Sequence, residues 1–256
     1  MSSYLQNFLT DQAKDTIIQT IAQMQSDFDL DNVIEIPGQG ALTSLLTVFD
    51  RLTLIEMDIK MKPYLEKLRV QSECRVDEQN HLSTLNYDLS IIWDILKQEI
   101  LTSWSDKTHT LVYGSLPYYI TSPIFRLVMI QCHHHGLFII QKEVGDKIST
   151  TARKKSYLWW LLNNEFEVIT TQIIPPNSFT PPPKVHSCVV KLTRLSQSKL
   201  SPEEYSKMLV LLDQINGFKR KTLGKIWKML RDNIPEQLAH KRLEELEWEE
   251  MKQLLV

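Results

Sequence analysis

Short apolar, β-branched runs recur along the first two-thirds of the chain, with longer segments of helical spacing between most of them. "NVIEI" (32–36), "LTLIEM" (52–57), "HLSTLN" (81–86), "HTLVYG" (109–114) and "GLFIIQK" (136–142) have the length and composition of strands. Intervening helices are what parallel βαβ units require. Two late strands follow, "FEVITTQ" (166–172) and "HSCVVKLT" (186–193). The segment between them, "IPPNSFTPPPK", is too rich in proline for regular structure. Two strands joined without a helix predict an antiparallel edge. The pattern therefore predicts an α/β chain with a doubly wound, mostly parallel, seven-stranded sheet and an antiparallel edge strand.

After residue 195 the pattern changes. "LSQSKLSPEEY" reads as a linker into a helix, with Ser201 as its cap, Pro202 in its first turn and Glu204 completing a capping box. Helical spacing continues to the end, including the acidic "RLEELEWEEMKQLL". The expected division is a large domain over 1–197 and a small helical domain over 198–256.

Composition narrows the class without deciding it. The 256 residues are 43% hydrophobic and 23% charged, ordinary for a soluble globular protein. No apolar run is long enough to span a bilayer. "MSSYLQNFLTDQAKD" lacks the basic-then-apolar order of a secretory signal, and the first arginine is Arg51. A cytoplasmic location is expected. Cys74, Cys132 and Cys188 lie far apart without disulfide or metal spacing. In "CHHHG" (132–136), successive helical residues would point about 100° apart and could not converge on one ion. A polar helix end is expected there, and no metal.

The formal charge is −2, so any nucleic-acid affinity must be local. Two clusters stand out: Arg153, Lys154 and Lys155, then Lys219, Arg220, Lys221, Lys225 and Lys228 within "FKRKTLGKIWKMLR". On a helix Lys221, Lys225 and Lys228 would share one face, which suits either phosphate contacts or simple solvation.

Candidate chemistry sits at strand ends. "VIEIPGQGALTSLL" is a strand, a glycine turn and a helix, in which Gly38 and Gly40 permit close approach of a ligand. Glu56, ending the second strand, is placed to accept hydrogen bonds from ribose hydroxyls. Asp88, after the third, can accept from an adenine amine. This Rossmann-like set implies an adenosine-bearing cofactor, with a nicotinamide dinucleotide and S-adenosylmethionine both open. The fourth strand separates them. It runs into Ser115-Leu116-Pro117-Tyr118: a small polar side chain, a backbone carbonyl before proline, then an aromatic ring. Acceptors aimed at an exocyclic amine and a ring face that aligns the base are the parts that amine methylation needs.

With these motifs in place, the chain resembles the small-subunit ribosomal RNA adenine dimethyltransferase family throughout its length. "LQNFLTD", "IEIPGQGALT", "IEMD", "YDLS", "GSLPYYITSP", "FIIQKEV", "SFTPPPKVHSCVVKL" and "KRKTL" carry the resemblance in order. It implies transfer of methyl groups from S-adenosylmethionine to two neighbouring adenosines near the end of small-subunit rRNA, by a monomer acting on a pre-ribosomal small subunit. It also implies that Asn7 and Leu9 contact the cofactor, Glu56 its ribose and Asp88 its adenine. Ser115 and Tyr118 would handle the target adenine, and Phe179 would be a second aromatic surface for the flipped base. Two departures are visible. The family usually reads Glu-Ile-Gly-Pro-Gly where this chain has "EIPGQG", and usually has asparagine in place of Ser115. Serine still accepts a hydrogen bond but reaches less far. The triple proline and "KRKTL" favour this family over the sister enzymes of large-subunit rRNA. A noncatalytic assembly factor with the same fold is the alternative from another class.

Overall fold

The structure, a computed structural model, describes residues 8–36, 42–43, 46, 49, 51–55, 63, 91–92, 109–116, 121–125, 135–218, 221–230 and 234–255. Strand β1 (Phe8–Leu9) pairs antiparallel with β8 (Phe179–Thr180) in a small separate ribbon. The main sheet contains β2 (Asn32–Ile36), β3 (Arg51–Ile55), β4 (Ile91–Ile92), β5 (Thr110–Ser115), β6 (His135–Gln141), β7 (Phe166–Ile174) and β9 (Ser187–Arg194). Its order is β4-β3-β2-β5-β6-β9-β7. Strands β4, β3, β2, β5 and β6 are mutually parallel, and β9 runs antiparallel to β6.

Three expectations need correction, and one falls on residues outside those described. The antiparallel strand is not at the edge: β9 enters between β6 and β7, and β7 is outermost. The side chains explain this. Cys188, Val189 and Val190 are buried in succession, as an inner strand demands, whereas β7 alternates buried and exposed positions. The third strand pairing with β3 is Ile91–Ile92; the expected "HLSTLN" segment lies outside the described residues. The Pro-rich connection is partly regular, with a 3₁₀ turn at Pro176–Ser178 followed by β8. Phe179 and Thr180 retain the amide that their proline neighbours lack and can enter a ladder. His135, expected at a helix end, begins β6 and stacks on Phe28 at 4.2 Å.

Alternation along the parallel strands creates two apolar faces. On one face Val33, Leu52, Leu54, Leu111, Tyr113, Leu137 and Ile139 join Ile17, Ile21 and Met24 of the helix Asp11–Phe28 in one core. That helix places these three at i, i+4 and i+7. Opposite parity carries Val112 and Phe138, and Phe125 meets Phe138 edge-on at 5.0 Å. Burying each large apolar side chain is worth about 1.5–3 kcal/mol, so the two-sided sheet dominates stability.

The chain forms two compact units, 1–142 with 170–192, and 143–169 with 193–256. This grouping differs from the expected division at 197/198, because residues 143–169 join the C-terminal segment. The reason is aromatic and electrostatic. Ser156 accepts from the Trp159 amide at 3.1 Å and caps the helix Tyr157–Asn163, whose Trp159 and Trp160 pack against Trp248. Lys155, its side chain 10% exposed, holds Glu247 at 2.6 Å, and Lys154 holds Glu244 at 3.0 Å. A nearly buried ammonium requires such a partner. The expected capping box is present: the Ser201 amide donates to Glu204 at 2.8 Å and the Glu204 amide to Ser201 Oγ at 3.3 Å, opening the helix Pro202–Ile215. Among the described residues no helix is long and apolar enough to cross a membrane.

Gly224, within the helix Leu223–Leu230, tests the packing of this unit. A Cβ there would lie 2.9 Å from the Ala239 carbonyl oxygen and 3.0 Å from its Cβ. Alanine ordinarily gains about 1 kcal/mol over glycine in a helix. Overpacking costs about 1–3 kcal/mol and should win here. Gly224→Ala is expected to lower the urea midpoint; a raised midpoint would contradict the contact.

Candidate active site

The parallel strands reverse their order of addition between β2 and β5. From β2 the chain adds β3 and β4 on one side, then returns to lay β5 and β6 on the other. Such a reversal leaves a crevice beyond the carboxyl ends of the two central strands, where open α/β sheets bind ligands. β2 ends at Ile36 and β5 ends at Ser115. Ile36 and Gly114 are Cα partners. A Cβ on Gly114 would lie 3.0 Å from both Ile36 Cβ and Leu116 Cδ2, so glycine allows the two strand ends to close side by side. Ser115 is partly exposed at this rim. Leu116 is buried, and its amide donates to the Ile139 carbonyl at 3.0 Å, which fixes the backbone leaving β5.

Glu35, not singled out above, lies fully enclosed on β2 with Leu54 and Tyr113 as Cα partners on either side. Thr43 Oγ1 donates to its Oε2 at 2.6 Å. Burial pushes the Glu35 carboxyl from 4.5 up to about 7, against the lowering effect of the Thr43 hydrogen bond. The Tyr113 phenol is held well above its usual range, first by burial and then by the Glu35 charge. The bond ties β2 to Thr43, eight residues further along the chain. A carboxylate inside the otherwise apolar "NVIEI" was the available signal, because a strand covered on both faces rarely carries one without a role.

The expected site residues divide into two groups. Asn7, Gly38, Gly40, Glu56, Asp88, Pro117, Tyr118, Lys219 and Arg220 lie outside the described residues. Of the rest, Leu9 and Phe179 are brought together as Cα partners across the β1–β8 ribbon, and the Thr10 amide donates to the Ser178 carbonyl at 2.9 Å. Phe179, expected as a surface for a flipped base, is instead 4% exposed and packs in the core with Leu9, Leu42, Tyr113 and Ile174. Pairing with β1 turns its ring inward. Among the first basic cluster, Arg153 is exposed, while Lys154 and Lys155 are engaged by Glu244 and Glu247. Lys155 is thus a structural cation rather than a surface charge. In the second cluster, the helix starts at Leu223, so Lys221 precedes it instead of sharing its face; Lys225 and Lys228 are exposed on it. No group of His, Cys, Asp and Glu suited to a metal ion occurs among the described residues.

The chain matches the ribosomal RNA adenine dimethylase family over residues 1–251. It belongs to that family. It is 34% identical over 224 residues to ribosomal RNA small subunit methyltransferase A of Legionella pneumophila (strain Corby), covering 85% of this chain and 80% of that one. It is 31% identical over 234 residues to the protein of the same name from Clostridium botulinum (strain Kyoto / Type A2), covering 89% and 79%. In fold it is similar to a dimethyladenosine transferase from Plasmodium falciparum, with TM-score 0.66, 21% identity and coverage of 97% and 96%. A 23S rRNA methyltransferase, ErmE, matches with TM-score 0.57, 20% identity and coverage of 97% and 99%. The α/β fold is thus that of known methyltransferases.

Glu35 makes a pH-dependent contribution to stability. Its folded value exceeds its unfolded one, so its favourable contribution is complete below pH 4.5 and is lost as pH rises through about 7. That loss is on the order of 3 kcal/mol. Glu35→Gln keeps an acceptor for Thr43 and removes the titration. Urea denaturation at pH 5 and pH 8 should show the variant gaining on the parent as pH rises; parallel behaviour would refute the assignment.

Proposed function

We propose that this chain transfers methyl groups from S-adenosylmethionine to the exocyclic amines of two adjacent adenosines near the 3′ end of small-subunit rRNA, within a maturing small subunit in the cytoplasm. The observation that carries the reading is Ser115 at the carboxyl end of β5, beside β2 at the strand reversal, in a chain of this family. The small-subunit name of relatives with 31–34% identity supports small-subunit rRNA as the substrate. The likeness to a large-subunit rRNA methyltransferase is one of fold.

S-adenosylmethionine supplies an activated methyl group when bound. The strand reversal fits its nucleoside, since crevices of this kind receive adenosine-bearing cofactors. Gly38 and Gly40 would let the backbone approach it, Glu56 would accept from its ribose hydroxyls and Asp88 from its adenine amine. Asn7 and Leu9 would cover it from the N-terminal segment. On the substrate side, Ser115 and the Leu116 carbonyl accept the amino hydrogens of the target adenine, which favours a pyramidal nitrogen. Pro117 stiffens the exit from β5, and Tyr118 stacks on the base. Phe179 pairs with Leu9 across the β1–β8 ribbon. RNA phosphates are met by the second basic cluster, Lys219, Arg220, Lys221, Lys225 and Lys228, with Arg153 contributing from the first. The chain acts as a monomer, with 1–197 as the methyltransferase domain and 198–256 as the RNA-binding domain.

Labelled S-adenosylmethionine and under-methylated small subunits, followed by nucleoside mapping, test the reaction directly. Dimethyladenosine at two adjacent positions is expected, and no incorporation would refute it. Tyr118→Ala should remove base stacking of about 1–3 kcal/mol and nearly abolish transfer while calorimetry still shows cofactor binding. Ser115→Asn should retain transfer, because asparagine presents a carbonyl in the same region. Glu56→Ala and Asp88→Ala should each weaken cofactor binding with the fold intact. Wild-type transfer by Tyr118→Ala would remove the stacking role.

A further inference from the structure

The C-terminal unit sorts its lysines into two kinds. Lys154, Lys155, Lys207, Lys241 and Lys252 each face a glutamate. Lys221, Lys225 and Lys228 are exposed and face no carboxylate among the described residues. A patch of cations without carboxylate partners among the described residues suits an anionic partner. Bare phosphate contacts would need nothing else, yet this patch contains more.

The 3₁₀ turn Asn216–Phe218 ends in a half-buried aromatic ring. The Lys221 amide donates to the Phe218 carbonyl at 2.8 Å and folds the chain back, so the Lys221 ammonium lies 5.2 Å from the ring centroid. The same ammonium is 3.2 Å from Met229 Sδ, and Met229 is 52% exposed. Met229 follows Lys225 by four residues, so both lie on one side of the helix Leu223–Leu230. Leu223, Ile226 and Trp227 bury the opposite side and hold this helix in place. A ring face and a soft, polarizable thioether therefore flank one ammonium on an anchored backbone.

We infer that Phe218 and Met229 seat one unpaired nucleobase of RNA, with Lys221 leaving the ring to meet a flanking phosphate beside Lys225 and Lys228. Flat apolar surface bordered by unpaired cations matches the chemistry of single-stranded RNA, whose bases stack on aromatic rings while its phosphates take the lysines. A duplex hides its base faces and would use the lysines alone. This seat rests on the proposed RNA-binding function, and it adds a base-stacking position in the C-terminal unit to the target-base site at Tyr118.

The test measures affinity of the full chain for a single-stranded RNA oligonucleotide and for a blunt RNA duplex of equal length, each across a salt series. Phe218→Leu should weaken single-strand binding by roughly tenfold with the salt dependence unchanged, and leave duplex binding as it was. Phe218→Tyr should restore single-strand affinity. Lys225→Gln with Lys228→Gln should instead flatten the salt dependence for both RNAs, each lost contact reducing the slope by about 0.7 on single strands. Equal losses on both RNAs by Phe218→Leu, or no loss on either, overturns the base seat. So does a loss confined to phosphatidylserine vesicles, which would make the patch a membrane contact. If the lysine variant flattens the slope while Phe218→Leu does nothing, the seat fails and the RNA-binding reading stands. If neither variant changes RNA binding, both fail.

Discussion

The parallel pairing of β2 with β5 is the constraint on which the rest depends. These strands are neighbours in space but separated in sequence by the segments that build β3 and β4. Their pairing creates the strand reversal, and with it the rim where β2 and β5 end side by side. It also sets how close the two strand ends can come. Gly114 is where that limit is felt, because any side chain would press on Ile36 and Leu116. Glu35 is the other consequence: the pairing encloses its carboxyl between Leu54 and Tyr113 and leaves Thr43 as its hydrogen-bond partner. Burying that group carries a stability penalty above its folded pKa, which a purely structural strand would avoid.

The C-terminal unit is organised by charge in a different way. Its acidic segment uses Glu244, Glu247 and Glu250 to hold Lys154, Lys155 and Lys241. Exposed pairs of this kind contribute little individually. The Lys155 pair differs, because a side chain that is nearly enclosed beside Trp159 needs its counter-charge. With these lysines engaged internally, the exposed cations around Phe218 and on the helix Leu223–Leu230 are among those left for an external anion. A net charge near zero is therefore compatible with a nucleic-acid partner, since several glutamates are spent on the protein's own lysines.

Much of the fold was legible from residue patterning alone. The strands at Asn32–Ile36, Thr110–Ser115, His135–Gln141 and Ser187–Arg194 fall within one or two residues of the runs that predicted them. Apolar periodicity marks a buried strand wherever it lies in the chain, and the Ser201–Glu204 cap is a local signal for the same reason. The motif residues leading to the family, including Ser115 and Leu116, were readable because they stand at fixed offsets after a strand-like run.

What the sequence by itself determined is the set of elements, their chemistry at the strand ends and the family they identify. Tertiary structure alone decided the partners. Nothing local says that β9 slips inside β7, that Leu9 meets Phe179 and turns its ring into the core, or that residues 143–169 join the C-terminal helices. Nor does it distinguish Lys155, buried against Glu247, from Lys225, exposed without a carboxylate partner among the described residues. Each of these depends on residues far apart in the chain, whose mutual burial and charge exist only once the fold has brought them together.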